Sequence, residues 1–352
     1  MSLQERILSK SNSYNYYKEK NESLEKRVEE LEKELEEIKK EKETTLREDF
    51  LEKYPVAGGF CNWNYIEYYF KDGFEEKFMD VTSRLNHTSK NRFKWLLLRA
   101  LAVNVIKMNS LYFHYELKDQ EKFLKFRQEN SGPNMIGGYT YYGRYNLHPF
   151  IDLNLTDNDK KFLKDKDIID AGAFTGDTSI PLAKFTDKNI YAFEPFDDSF
   201  EGLKKNIAAN DIKNIIPVKK SLGNINGERT LYLAGNNVQG ITSNPNAREF
   251  DEELKVEEIT VDKFVEDNNL DVGYITIDVE GAERDLLEGA LDTIKTQRPI
   301  LTISIYHKVT DFFEIIPWID DLGLDYEFNV VKEQPWPFLG DTVVQCRPKE
   351  LI

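Results

Sequence analysis

The spacing of hydrophobic residues changes along the 352-residue chain and divides it into three regions. In residues 1–47, Glu and Lys dominate, and five apolar residues are spaced by alternating steps of four and three, as at the a and d positions of a coiled coil. These residues are Leu24, Val28, Leu31, Leu35 and Ile38. A single solvated helix, held by ion pairs between successive turns, explains the pattern equally well. The pattern therefore predicts a short dimerisation or docking helix, or a lone charged helix.

Residues 48–144 are predicted to form a small helical domain. Apolar residues recur at helical spacing in 93–108 and 111–126, and aromatic residues are dense between Phe60 and Phe78. Such aromatic residues form protein core more often than a substrate groove. The segment SGPNMIGGYTYYGRYN (131–146) is rich in Gly and Tyr and predicts a loop. It could close over a ligand or serve as an ordinary connector.

Residues 145–352 alternate between strand and helix patterns, which predicts a mostly parallel sheet with crossover helices. Five segments read as its strands: DIIDAG, NIYAFEP, NIIPVKKSL, VGYITIDVEG and RPILTISIYHK. Helices are predicted near 177–185, 199–210, 282–296 and 311–322. ERTLYLA and VEEITVDKF read as additional strands, and YEFNVV with DTVVQC reads as a closing hairpin.

Charge and cysteine content narrow the class of protein. The chain has 63 acidic and 47 basic residues and a formal net charge of -16, which makes a general nucleic-acid binder unexpected. Its two cysteines, Cys61 and Cys346, have no disulfide or zinc-site spacing. No apolar run is long enough for a transmembrane segment and no signal peptide is apparent, so we expect a cytoplasmic protein.

The first candidate site lies where DIIDAG meets the following helix, in the run Asp170 to Thr178. Glycine here allows the backbone to approach a ligand closely, and a helix N-terminus offers free N–H groups. Two glycines four residues apart, Gly172 and Gly176, are weak evidence alone. Glu194 ends the next strand, where a carboxylate can accept hydrogen bonds from ribose hydroxyls. The alternative for Glu194 is a surface carboxylate.

Together these features predict a nucleoside cofactor but do not separate a dinucleotide from S-adenosylmethionine. The turn lacks the full G-x-G-x-x-G pattern, since Phe174 takes the place of one glycine, which disfavours a pyrophosphate. A closing antiparallel hairpin on a parallel sheet is typical of methyltransferases.

Over roughly residues 145–347 the sequence resembles the FkbM-type methyltransferases. Four segments carry the resemblance: IIDAGAFTGDTS, YAFEPFDDSFEGLKKNIAAN, ITVDKF and ITIDVEGAERDLLEGALDTIKTQRPILTISIYHK. The most specific part is IDVEGAE (277–283), followed by Gly289-Ala290 and Arg298-Pro299. The sequence departs from the commoner family pattern at Phe174, where that pattern has Asn. The first roughly 140 residues resemble no family that we recognise.

The resemblance implies a Rossmann-like class I methyltransferase domain with a seven-stranded sheet and S-adenosyl-L-methionine as cofactor. It implies that Asp170, Gly172 and Gly176 shape the pocket for the methionine part and that Glu194 holds the ribose. Ser221 and Leu222 would lie near the adenine, and Asp278 would face the sulfonium and the acceptor. The remaining residues expected to contact the cofactor are Ala173, Asp177, Thr178 and Pro195.

The expected catalytic residues are Asp278, Glu280 and His307. Methyl transfer to a hydroxyl requires alignment of the acceptor and removal of its proton. His307 is the best candidate for the base, although it could simply cap a helix or bond a neighbour. These three residues could also hold a divalent cation, but nothing in their spacing demands one and no metal is expected. Glu283 could act, or could only complement the dipole of the next helix.

The function that this implies is O-methylation of a sugar hydroxyl in a glycan or other surface or natural-product precursor. The partner would be a small-molecule or glycan acceptor, with a second copy or a docking protein on the coiled coil. One alternative is a catalytically weak S-adenosylmethionine-binding scaffold recruited through the coiled coil. A less favoured one is an NAD-dependent oxidoreductase.

Overall fold

The structure, a computed structural model, describes residues 73–105, 131–132, 135–143, 155–233, 241–242, 252–332 and 341–352. All of them belong to one compact unit, Gly59–Ile352. The coiled coil predicted over 1–47 lies outside the described residues. No helix in the described part of the chain is long and apolar enough to cross a membrane.

The helices are α1 (Phe74–Ser83), α2 (His87–Val105), α3 (Asp157–Leu163), α4 (Ser179–Leu182), α5 (Asp197–Ala209), α6 (Val261–Asn268), α7 (Glu283–Glu288), α8 (Leu291–Gln297) and α9 (Val309–Asp320). The strands are β1 (Ser131–Gly132), β2 (Met135–Ile136), β3 (Tyr139–Thr140), β4 (Asp167–Ala171), β5 (Ile190–Phe193), β6 (Ile215–Val218), β7 (Ser221–Leu222), β8 (Gly227–Leu233), β9 (Ile241–Thr242), β10 (Glu252–Ile259), β11 (Val272–Ile277), β12 (Ile300–Ser304), β13 (Tyr326–Lys332) and β14 (Thr342–Pro348).

The central sheet has seven strands in the order β13-β14-β12-β11-β4-β5-β6. Its strands pair in parallel except β14, which runs antiparallel to both β12 and β13. Every residue of β4, β11, β12 and β14 is buried, as expected where both faces of a sheet are covered. The predicted mostly parallel sheet with a closing antiparallel hairpin is confirmed. The chain order reverses between β4 and β11, and a crevice for ligands forms at such a switch point.

Three predicted elements are divided in the structure. NIIPVKKSL gives β6 in the central sheet and then β7, which pairs with β10 in a second sheet of order β7-β10-β8-β9. VEEITVDKF changes from strand to helix at Thr260, whose side chain caps α6 by accepting from the N–H of Lys263. The helix predicted over 282–296 breaks between α7 and α8. A Cβ at Gly289 would lie 2.0 Å from the carbonyl oxygen of Gly223, so the backbone there must pass close to the neighbouring loop.

Two local predictions also differ from the structure. The helix expected over 177–185 is reduced to α4 and a 3-10 turn, Ala183–Phe185. The segment 131–146, predicted as a loop, contains β1, β2 and β3, which pair antiparallel.

Helices α1 and α2 pack on the central sheet domain. The ring of Phe93 stacks on Phe312 with centroids 4.3 Å apart and meets Phe313 edge-on at 5.8 Å. Ser89 accepts a hydrogen bond from the backbone N–H of Val330 in β13 at 3.1 Å. A separate helical domain over 48–144 is therefore not confirmed, because the described helices share the hydrophobic core of the sheet.

Candidate active site

The two glycines of the turn after β4 are required by contacts within the protein. Gly172 has φ +84, and a Cβ there would lie 1.9 Å from the carbonyl oxygen of Asp278. Gly176 has φ +91, and its Cβ would lie 2.9 Å from Leu203 of α5. The sequence pattern suggested that glycine admits a ligand, whereas the structure shows the end of β11 and helix α5 in those positions. The turn is therefore built into the switch point of the sheet.

Phe174, between these glycines, has the left-handed φ of +44. Asn adopts this conformation much more readily than Phe, because its short side chain can bond the local backbone. This is the position at which the commoner family pattern has Asn. Phe174 thus keeps a strained backbone conformation beside the crevice.

Glu194 lies buried just after β5, at the carboxyl end of the sheet. Its Oε1 accepts the N–H of Phe196 at 2.9 Å, and a second backbone bond comes from Phe174. Burial raises the pKa of Glu194 to about 8; the two backbone donors act to lower it, and the nearby Asp170 and Asp177 add to the rise. The alternative of an exposed surface carboxylate is therefore wrong for Glu194.

The other residues expected around the cofactor fall into two groups. Asp170 and Asp177 are buried in or beside the turn, where the hydroxyl of Ser179 donates to Asp170. Ala173 is buried in the core, while Thr178 and Pro195 are half-buried near the crevice. Ser221 and Leu222 lie on β7, outside the central sheet. The Leu222 side chain is buried in the core, and the Ser221 hydroxyl faces Glu258 at 3.5 Å.

The tyrosine-rich segment around β3 lies against the glycine turn. Asn206 of α5 is buried, accepts the N–H of Tyr142 at 2.8 Å, and donates to the carbonyl of Thr175 at 2.9 Å. Burial, with the carboxylate of Asp177 close by, raises the pKa of Tyr141 far above its ordinary value. The segment is thus fixed at the edge of the turn.

A cluster of carboxylates surrounds His307 at the ends of β11 and β12. The ring Nε2 lies 3.4 Å from Oδ1 of Asp278 and 3.5 Å from Oε2 of Glu280. Ring Nδ1 lies 2.7 Å from Oε1 of Glu283. The three residues proposed for catalysis therefore lie together. Asp278 is also joined to β4, because its N–H donates to the carbonyl of Ala171 at 2.9 Å.

Glu283 is the member of this cluster that sequence reasoning undervalued. It is fully buried, and its Oε1 accepts the N–H groups of Val279 and Gly281, each at 3.2 Å. The left-handed φ of +52 at Glu280 turns the chain so that this return contact forms. Burial acts to raise the pKa of Glu283, but His307 and the backbone donors outweigh it, so the pKa is lowered. The sequence signal for a role of Glu283 was its position in IDVEGAE (277–283), the most specific part of the resemblance.

The electrostatics of His307 count against its expected role as the base. Burial acts to lower its pKa, but Glu283, Glu280 and Asp278 outweigh that effect and raise the pKa to about 10. A ring that already holds a proton at neutral pH cannot take one from an acceptor hydroxyl.

Comparison with known proteins gives a match over the region that contains the glycine turn, Glu194 and the carboxylate cluster around His307. Residues 170–328 match the family model for the methyltransferase FkbM domain. This region, a little under half of the chain, is similar to that domain. Gly172, Glu194, Asp278 and His307 all lie within the matched residues. No curated protein matches the chain.

One solved structure supports the fold, and two others are similar over shorter parts of the chain. The methyltransferase FkbM of Methylobacillus flagellatus KT is 18% identical with a TM-score of 0.50, and the match covers 79% of this chain and 60% of that one. The match thus spans less than two thirds of that protein's length. An rRNA methylase of Streptococcus thermophilus is 13% identical with a TM-score of 0.34, covering 55% of this chain and 92% of that one. A protein of Streptococcus mutans, assigned as a methyltransferase and solved in complex with SAH, is 16% identical with a TM-score of 0.31, covering 56% and 96%.

Proposed function

We propose that the crevice at the switch point binds S-adenosylmethionine and that the enzyme transfers its methyl group to an oxygen acceptor. The observation that carries this proposal is the buried carboxylate of Glu194 at the carboxyl end of β5. It stands beside the glycine turn and faces the same edge of the sheet as Asp278. A carboxylate placed there can accept hydrogen bonds from both hydroxyls of a ribose.

The proposed cofactor site keeps the residues expected from the sequence. In this proposal the turn residues Asp170, Gly172, Ala173, Gly176, Asp177 and Thr178 surround the methionine part. Glu194 and Pro195 bind the ribose. The adenine would lie towards β7, where Ser221 can offer its hydroxyl and Leu222 only its backbone, because the Leu222 side chain is in the core.

The proposed reaction is a direct displacement. The acceptor O–H bond breaks and its proton passes to water, while the oxygen forms a bond to the methyl carbon. The C–S bond breaks at the same time, and its electron pair stays on sulfur, which leaves S-adenosylhomocysteine (SAH). Asp278 would align the acceptor with this bond, which is the main contribution that positioning makes to such a step.

The proposed acceptor is a sugar hydroxyl on a glycan or natural-product precursor. Support for this choice comes from the resemblance of residues 145–347 to the FkbM-type methyltransferases. Dimerisation or docking through residues 1–47 is likewise a proposal that rests on the sequence pattern.

Calorimetric titration of the full chain with S-adenosylmethionine and SAH tests the cofactor, with NAD as a control ligand. We expect micromolar binding of the sulfonium pair, no binding of NAD, and at least tenfold weaker binding by Glu194→Ala. The matched control is Glu201→Ala on the exposed face of α5, which should bind as the unaltered protein does. A folded sample that binds neither sulfonium compound would refute the methyltransferase proposal.

A further inference from the structure

The carboxylate of Glu283 fixes the orientation of the His307 ring through its Nδ1 atom. Glu283 Oε1, which already accepts two backbone N–H groups, lies 2.7 Å from ring Nδ1. An ionised carboxylate only accepts hydrogen bonds, so Nδ1 carries the proton in this contact. A carboxylate that holds one ring nitrogen and leaves the other free is the arrangement found behind metal-binding histidines.

The free nitrogen of His307 points at two further carboxylates without bonding either. Among the described residues, Nε2 is buried and has no hydrogen-bond partner, and the His307 side chain is only 6% exposed. Its neighbours, Asp278 Oδ1 at 3.4 Å and Glu280 Oε2 at 3.5 Å, stand off from it. A buried ring nitrogen left in this state requires an explanation.

These separations match those between ligands of one ion. Ligand atoms held about 2.1 Å from an ion lie about 3.0 Å apart at right angles and about 3.4 Å apart at the tetrahedral angle. One oxygen of Asp278 and one ring nitrogen of His307 lie within 4.8 Å of each other and of Glu283, and Glu280 reaches the same ring at 3.5 Å. The cluster is therefore compact enough to close on a single cation.

Charge and access fit a divalent ion. Asp278 and Glu280 together balance two positive charges, and their side chains are 30% and 32% exposed. Solvent thus reaches the carboxylate side of the ring, while the Glu283 side is buried. A mixed set of carboxylate oxygens and one imidazole suits first-row ions such as Mn²⁺.

We propose that His307 Nε2, Asp278 and Glu280 bind a divalent cation, which displaces the Nε2 proton to solvent, with Glu283 as the positioning residue that orients the ring. This differs from the sequence expectation that no metal takes part. The remaining positions on the ion would be filled by water or by an acceptor oxygen.

The use of this ion in catalysis rests on the proposed function. The backbone of Asp278 is in contact with Gly172, so the ion would lie next to the proposed cofactor crevice. An acceptor hydroxyl bound to it would lose its proton to water more readily. The bond to the methyl carbon and the break at sulfur are unchanged. A cation would thus remove the need for His307 to act as a base.

The test is titration of the full, chelator-treated chain with Mn²⁺, followed by electron paramagnetic resonance of free and bound metal. We expect one tight site per chain. Asp278→Asn and Glu280→Gln should each weaken it at least tenfold, and Glu283→Gln should weaken it about 10- to 100-fold through loss of ring orientation. Glu266→Gln, an exposed carboxylate on α6, is the matched control and should leave the site unchanged.

Circular dichroism checks that each variant is folded, and Glu280→Gln, in a partly exposed turn, is the variant least expected to disturb the core. The proposal fails if the folded wild-type chain binds no tight Mn²⁺, or if Asp278→Asn and Glu280→Gln both bind like the control. SAH titration of the same samples separates the two proposals. SAH binding without Mn²⁺ binding would overturn only the metal site, and Mn²⁺ binding without SAH binding would support the site while refuting the methyltransferase.

Discussion

Replacing Glu194 by Gln removes a charge from the carboxyl end of β5 while keeping the size of the side chain. The pKa of about 8 in the folded protein means that only about one tenth of the Glu194 carboxyls are ionised at pH 7. If ribose hydroxyls donate to the ionised form, binding must first remove a proton. We therefore expect the affinity for SAH to depend on pH in the native protein and not in Glu194→Gln.

The magnitude follows from the size of the shift. Ionising a group one unit below its pKa costs about 1.4 kcal/mol, so the apparent Kd for SAH should fall about tenfold between pH 7 and pH 9 and then level off. Folding stability should fall over the pH range in which SAH binding becomes tighter. Between the ordinary value of 4.5 and about 8, the folded state binds more protons than the unfolded state, so Glu194 lowers stability as pH rises through this window.

The assay is calorimetric binding of SAH from pH 6.5 to 9 in buffers of different ionisation enthalpy, with urea unfolding at the same pH values. Glu194→Gln should bind SAH more weakly at pH 9 yet be more stable there than the native protein, on the order of a few kcal/mol. The variant also controls for titration of SAH itself. Equal pH slopes for the two proteins would refute the reasoning, because the slope would then come from another group.

Three further predictions concern stability. Gly172→Ala should lower the free energy of unfolding by about 2–5 kcal/mol, because the backbone is left-handed and the new Cβ clashes at the end of β11. Gly138→Ala has an equally positive φ but open space, and should lower it by only about 1–2 kcal/mol. Similar losses of Tm in the two variants would contradict this. Asp159→Asn removes the carboxylate charge that lies 2.7 Å from buried Arg347 and should cost about 3–5 kcal/mol in urea unfolding; a loss below about 1 kcal/mol would argue against it. Asn206→Ala should cost about 1–3 kcal/mol and speed amide exchange around β3; unchanged exchange would show that the segment is held elsewhere.

The parts of the fold that the sequence predicted correctly are those with local signals. The buried strands β4, β5, β11 and β12 are short, mostly apolar segments, and turn residues bound them. The break between α7 and α8 was not predicted, because its cause is a tertiary contact. Nothing in the sequence near Gly289 shows that a distant loop at Gly223 passes within contact distance and interrupts the helix.

In the candidate site, too, the residues with a local sequence signal were predicted, and the interactions set by tertiary contacts were not. Glu194 was identified from its position after a strand, because strand ends in a parallel sheet share one edge. For Glu283 the sequence left both a functional role and a complement to the helix dipole open, since its helix position says nothing about His307, 24 residues later. The raised pKa of His307 also depends on three carboxylates from separate positions, which only the folded chain brings together.

The insertion of β14 between β12 and β13 has a consequence for the order of assembly. Among the strands that the structure describes, β14 is the only neighbour of β13 in the central sheet, and Asp159 gains its buried partner Arg347 only when β14 is in place. Until then β12 presents an open edge, the kind of surface on which partly folded chains aggregate. Residues of β14 should therefore govern the yield of refolding and the lifetime of misfolded species, even though they lie outside both proposed sites.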